Sequence, residues 1–183
     1  QFMSSVISSR NPFGISSRIR GRKKGIYKLI SSEGIGYLDK GDFIDNCGWV
    51  NQYKVLISKV TAEHAGEPDR NGMFRVISRM ELLEPFDLCT DSYLVIGGSK
   101  TKKNVISVYK YLRCKFARFM LMLAVSSINL SREKFQFVPL QDFTSQSDID
   151  WSVSIPEIDE QLYQKYGLSD DEIAFIEKMI KPM

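Results

Sequence analysis

Few side chains in this sequence belong to the types that usually perform catalysis or hold metals. The single histidine, His64, lies in a stretch of Gly, Pro and charged residues that is typical of a surface loop. The cysteines Cys47, Cys89 and Cys114 are far apart and form no Cys-x-x-Cys pair. One imidazole and three scattered thiols do not match the spacing of common zinc sites, so we expect no metal centre. An odd number of isolated cysteines favours a reducing compartment, which predicts a cytoplasmic protein.

Motifs that bind phosphate groups are also missing from the sequence. It contains no GxxxxGK[ST] and no GxGxxG. Metal-dependent nucleases commonly place a carboxylate two residues before a lysine, and no Asp or Glu here has a lysine at that position. The turn Asn11-Pro12-Phe13-Gly14 approaches the Asn-Pro-Pro-Tyr/Phe loop with which amino-methyltransferases hold their target amine, but the second proline is absent. We therefore expect no turnover from this chain alone.

Charge is distributed unevenly along the chain, although the net charge is only +3. Residues 1–32 contain seven basic side chains and no acidic one, and residues 100–120 repeat that pattern. Residues 135–183 instead contain ten acidic and three basic side chains. Acid-free clusters of Arg and Lys are the pattern expected of a protein that binds the phosphate backbone of nucleic acid. The alternative is that both blocks pair with the acidic segments of the same chain.

The elements that must position these cations differ along the sequence. Short β-branched and aromatic runs separated by turn residues predict strands at 26–30, 36–38, 53–58, 74–77 and 93–96. Apolar residues at three- and four-residue spacing predict one amphipathic helix, or two in series, over 101–125. Helices are also predicted from Glu157 to Tyr166 and, after a Ser169-x-x-Glu172 capping box, to about Ile180. The fold class is thus α+β, with an irregular, mostly antiparallel sheet, a long amphipathic helical region and a C-terminal helical extension.

Three long motifs stand out in these segments: YLRCKFARF at 111–119, FQFVPLQDF at 135–143 and EIDEQLYQKYGL at 157–168. They resemble the C-terminal region of bacterial adenine-specific DNA methyltransferases of restriction–modification systems, some of which fuse a methylase to an endonuclease. Cys114 stands where the recurrent motif has threonine, which puts a role for a hydroxyl there in doubt. The chain begins with Gln1. We expect it to be a piece of a longer protein.

This resemblance implies a target recognition domain at 1–134 and a C-terminal extension at 135–183 that packs on that domain or on the methylase core. It implies duplex DNA and a catalytic domain in the same polypeptide as partners. The S-adenosylmethionine cofactor would be bound by that catalytic domain, and no cofactor is expected in this chain. No segment approaches the roughly 18 apolar residues that a membrane span requires, so we expect no membrane association.

The basic blocks supply the predicted phosphate contacts, and four amides in turns or near strand starts have the chemistry to contact adenine. The predicted DNA-binding residues are Arg18, Arg20, Arg22, Lys23, Lys24, Lys28, Lys100, Lys102, Lys103, Arg113, Lys115 and Arg118. The candidates for base contacts are Asn11, Asn51, Gln52 and Asn71.

Two other functions stay open at this point. One is the nuclease domain of a fused restriction endonuclease, which magnesium-dependent cleavage of a plasmid would reveal. The other is a protein-interaction module between restriction–modification subunits, in which the acidic C-terminal segment and the aromatic residues bind a partner.

Overall fold

The computed structural model describes residues 1–63 and 67–183, so the predicted loop position of His64 lies outside the described residues. The fold is α+β. The strands are β1 (Tyr27–Ser31), β2 (Gly34–Leu38), β3 (Tyr53–Ser58), β4 (Met80–Leu83), β5 (Asp87–Cys89) and β6 (Tyr93–Ser99). The α-helices are α1 (Lys102–Arg113), α2 (Lys115–Met122), α3 (Ile155–Lys165) and α4 (Asp170–Met179), and short 3₁₀ helices cover Met3–Val6 and Arg132–Phe137.

The described strands form two small sheets of three strands each. One has the order β2-β1-β5, in which β1 pairs antiparallel with β2 and parallel with β5. The other has the order β4-β3-β6, and both of its strand pairs are antiparallel. Three of these four pairings are antiparallel, as predicted, but the strands are divided between two sheets.

Strands β3 and β6 are buried on both faces because successive side chains of a strand point in opposite directions. Val55 and Ile57 pack in a first core with residues of α1, α2 and α3, while Leu56 packs in a second core with residues of the β2-β1-β5 sheet. Strand β6 divides in the same way, with Leu94 in the first core and Val95 in the second. These two strands therefore connect the helical half of the molecule to the half that carries the first basic block.

The predicted strand at 74–77 is wrong. Val76 has a φ of 70°, a left-handed conformation that a β-branched residue rarely adopts and that interrupts the extended backbone of a regular strand. The Glu63 carboxylate accepts hydrogen bonds from the backbone N–H groups of Arg75 and Val76 and holds the segment in this shape. Conversely, β4 and β5 are strands that sequence periodicity did not predict.

The helical predictions are confirmed in their main features. The region 101–125 forms two helices in series, and Val105, Val108 and Leu112 of α1 are buried at helical spacing. Helix α3 is followed by Gly167 with a φ of 64°, and the capping box of Ser169 and Glu172 is formed at the start of α4.

The last 49 residues, 135–183, share the first core with the remainder of the chain. Leu162 of α3 and Ile176 of α4 pack there with residues from α1 and α2. Lys110 of α1 donates hydrogen bonds to the carbonyl oxygens of Trp151, Ser152 and Val153, at 2.8, 3.2 and 2.8 Å, which ties the segment before α3 to that helix. None of the described helices is both long enough and apolar enough to cross a membrane.

Candidate nucleic-acid interface

Residues 18–24, here called the basic bend, lie along the edge of β2 and are exposed throughout. The backbones of Arg22 and Tyr37 exchange two hydrogen bonds, at 2.7 and 3.0 Å. A Cβ atom on Gly36 would overlap the carbonyl oxygen of Arg20, and one on Gly21 would lie 2.7 Å from the backbone nitrogen of Tyr37. The two glycines thus permit a backbone approach that no other residue allows, and the bend is held against the sheet.

The cations of the basic bend fall into two groups. Arg20 pairs with Glu33 at 2.7 Å, and Arg22 pairs with both Asp39 and Asp42, at 2.8 and 2.6 Å. The bonds to Asp42 raise the pKa of Arg22 above its ordinary value. The positive charges of Arg20 and Arg22 are therefore largely offset by carboxylates of the protein.

Arg18, Lys23 and Lys24, by contrast, are exposed and make no ion pair with any described residue. Lys23 and Lys24 occupy the bend between Arg22 and β1. These three side chains are available to an external anion.

The start of α1 presents a second set of cations. Lys102 is paired with Glu84 at 2.5 Å and lies 5.7 Å from the centre of the Tyr53 ring. Lys100 and Lys103 are exposed and make no ion pair within the described chain. Thr101 is the N-cap residue, but its side chain makes no capping bond in the described structure, and the first turn contains no acid. The N–H groups and dipole of this helix end favour an anion.

Residues 84–87, here called the linking turn, form an ion pair with one cation from each basic block. Lys28 of β1 pairs with Asp87 at 2.9 Å, and Glu84 of the same turn holds Lys102. The Asp87 carboxylate also accepts a hydrogen bond from the backbone of Glu84 at 3.1 Å. Two segments more than 70 residues apart in sequence are therefore attached to one four-residue turn.

In the second block the prediction of Arg118 as a phosphate contact is wrong because the side chain is buried, and Lys115 and Arg113 lie apart from the cations at the start of α1. Arg118 is 1% exposed and donates to the carbonyl oxygens of Arg113 and Arg75, both at 3.1 Å. Burial lowers its pKa to about 10, but the group stays charged at neutral pH. Lys115 pairs with Glu177 of α4, and its side chain is only 15% exposed. Arg113 lies at the far end of α1, about 17 Å from Lys102 at 1.5 Å per residue, with its guanidinium over the Tyr109 ring.

The four amide candidates for base contacts are in different situations. Asn11 accepts a hydrogen bond from the Ile15 backbone at 3.0 Å, and Gln52 donates to the Gly48 carbonyl at 3.2 Å, so both stabilise turns. Asn71 lies in an exposed turn formed around Asp69.

Asn51 is exposed and follows Val50, whose carbonyl accepts a hydrogen bond from Phe86 of the linking turn at 2.8 Å. Asn51 is the amide that follows a residue bonded to the linking turn.

Sequence patterns missed three cations that lie around one cleft: Arg10, Lys59 and Arg132. Arg10 belongs to the first basic block but was not selected, while Lys59 and Arg132 lie outside both acid-free blocks. The distribution of charge along the sequence therefore did not predict that these three cations lie around one cleft. The cleft is lined by Ser17, which immediately precedes the basic bend.

Among the residues that the structure describes, no group of three His, Cys, Asp or Glu side chains is arranged to hold a metal ion. All three cysteines are free thiols. Cys114 is buried between α1 and α2, and its Sγ lies 3.3 Å from the carbonyl oxygen of Lys110. A threonine hydroxyl would have the same acceptor available.

Comparison of the chain with models of protein families, with curated proteins and with solved structures finds no match.

Proposed function

We propose that this chain binds duplex DNA and gives an adenine-specific DNA methyltransferase of a bacterial restriction–modification system its sequence preference. The observation that carries DNA binding is the attachment of two cation-rich segments to one turn. The methyltransferase context comes from the sequence resemblance. In this proposal S-adenosylmethionine and the catalytic groups belong to another domain of a longer cytoplasmic polypeptide, and this chain has no turnover alone.

Five exposed cations carry the proposed phosphate contacts, since each lacks an ion-pair partner in the described parts of the chain. They are Arg18, Lys23, Lys24, Lys100 and Lys103. The ion-paired residues Arg20, Arg22, Lys28 and Lys102 position the two segments. Phosphate contacts of this kind fix the orientation of a protein on the duplex without selecting a sequence.

Sequence selection would come from side chains near the linking turn. Asn51 has an amide that can donate to and accept from the edge of adenine in the major groove. In the full enzyme the catalytic domain would turn the target adenine out of the helix while this chain holds the duplex.

Salt dependence of DNA binding tests the proposal. Five phosphate contacts predict a slope of log affinity against log salt near −4.5, because each contact contributes roughly −0.9. The double variant Lys23→Ala/Lys24→Ala should reduce the slope to about −2.7. Fluorescence anisotropy with a labelled duplex between 50 and 200 mM salt measures both values.

The matched control is Arg70→Ala/Lys178→Ala, which also removes two exposed cations but on other surfaces. The control should keep the slope of the unmodified chain. An equal slope for both double variants would show that the basic bend is not part of the DNA interface. A lack of DNA binding at low salt would refute the proposed function.

A protein-interaction function has one specific observation in its favour. A groove of about 420 Å³ lies between α2 and α4, lined by Phe119, Met120 and Phe175, and Phe175 is 53% exposed. If the chain proves not to bind DNA, this groove is the surface that we propose for a partner subunit.

A further inference from the structure

A polar cleft of about 700 Å³ opens beside the basic bend. Its walls come from the N-terminal segment, from the end of β3 and from residues 129–133. The volume lies within the roughly 300–1,000 Å³ typical of sites for small molecules and cofactors. Arg10, Lys59 and Arg132 line it, together with several hydroxyl and amide side chains.

Lys59 is fixed at the wall of the cleft. Its ammonium donates to the backbone carbonyl oxygens of Arg10 and Asp91, the second at 2.5 Å. Partial burial lowers its pKa, which the nearby carboxylate of Asp91 opposes. Lys59 thus ties the N-terminal segment to the loop before β6 and adds a positive charge at the cleft.

The two arginines offer donors to a ligand. Arg132 uses its Nε atom to donate to the Ser4 carbonyl at 2.9 Å, which orients the guanidinium. Its terminal nitrogens make no hydrogen bond with the described residues, and the same holds for the whole Arg10 side chain. Guanidinium groups present planar pairs of N–H donors that match the oxygen atoms of a phosphate.

Two carboxylates line the same cleft without pairing with these cations. Asp91 accepts a hydrogen bond from the Ser17 backbone at 2.6 Å. A hydrogen bond with the Ser131 side chain lowers the pKa of Glu133, so it is ionised at neutral pH. Carboxylates accept hydrogen bonds only, so the cleft has acceptors for the hydroxyl or amino groups of a ligand as well as donors for an anion.

We infer that the polar cleft binds a nucleotide, with Arg10 and Arg132 donating hydrogen bonds to its phosphate. The nucleotide is either part of a DNA strand that continues from the basic bend through Ser17 or a free nucleotide. The first case rests on the proposed function, whereas the second does not.

Isothermal titration calorimetry with thymidine 5′-monophosphate, and with thymidine as the probe that lacks phosphate, tests the inference. We expect thymidine to bind at least about tenfold more weakly, because hydrogen bonds to a charged phosphate are the strong ones. Arg10→Gln is the cleaner variant, since that side chain makes no hydrogen bond within the described structure. Arg132→Gln retains an amide donor for the Ser4 carbonyl.

Each variant should weaken nucleotide binding about tenfold through loss of charged donors, while the control Arg70→Gln should leave it unchanged. Thermal melting by circular dichroism confirms that the variants are folded. Equal affinity for thymidine and its monophosphate, or unchanged affinity in Arg10→Gln, would overturn the cleft assignment.

Duplex anisotropy with Arg10→Gln separates the two sources of the nucleotide. Weaker duplex binding supports a strand in the cleft, and unchanged duplex binding with weaker monophosphate binding supports a free nucleotide. Monophosphate binding without any duplex binding would refute the proposed function and leave the cleft assignment standing. If the chain binds the duplex but does not bind the monophosphate, and Arg10→Gln changes nothing, the cleft assignment is refuted and the proposed function stands.

Discussion

Replacement of Asp159 by Asn should change how the stability of this protein depends on pH. Asp159 of α3 is 4% exposed, and its carboxylate accepts hydrogen bonds from the backbone N–H groups of Lys115 and Phe116, both at 2.9 Å. These donors belong to the first turn of α2, so Asp159 caps one helix from another. Burial raises the pKa of Asp159 to about 6, even though the two N–H donors oppose the shift.

The expected size of the effect follows from the two pKa values of Asp159. The folded value of about 6 exceeds the ordinary value of 3.8, so the folded state binds this proton more tightly than the unfolded state. The contribution to stability is therefore fully present below about pH 4 and is lost as pH rises through 6. At about 1.36 kcal/mol per pKa unit, the change amounts to roughly 3 kcal/mol.

Urea denaturation of the unmodified chain and of Asp159→Asn between pH 4 and 7 measures this contribution. The free energy of unfolding of the unmodified chain, minus that of the variant, should fall by about 2.4 kcal/mol across this range, because the unfolded carboxyl is already partly ionised at pH 4. Asp170→Asn, which changes an exposed carboxyl on α4, serves as the control. A difference that stays constant with pH would show that Asp159 titrates normally and would refute the argument from burial.

Three further changes test other parts of the structure. Gly36→Ala should destabilise the fold by about 1–3 kcal/mol in urea denaturation, because the added Cβ overlaps the Arg20 carbonyl oxygen. The same variant should weaken duplex binding in the anisotropy assay, because the basic bend is displaced. Burial lowers the pKa of Lys54 to about 8, so the unmodified chain should gain about 3 kcal/mol of stability between pH 8 and 10.5, whereas Lys54→Met should show no such gain in urea denaturation. Ser169→Ala should cost about 1 kcal/mol in the same assay through loss of the α4 cap, and an unchanged midpoint would show that the capping box contributes nothing.

Local sequence signals predicted the helices well. The spacing of apolar residues over 101–125 and the Ser169-x-x-Glu172 box are properties of neighbouring residues, and local hydrogen bonds produce the same structure in most contexts. Strand prediction was weaker where contacts with distant residues determine whether a segment forms a strand. The Glu63 carboxylate prevents a strand at 74–77, and the short β5 depends on parallel pairing with β1, more than 50 residues earlier.

The order of residues along the chain by itself showed two acid-free basic segments and an acidic C-terminal region, and it predicted an α+β pattern with helices near the C-terminus. Only the tertiary structure decided which of the cations face solvent. Arg18 and Arg118 are the same residue type, each in a basic block, yet Arg18 is exposed and Arg118 lies in the interior with carbonyl partners. The reason is physical: a side chain's availability to an external anion depends on its burial and on its nearest charges, and both arise from residues that are distant in sequence.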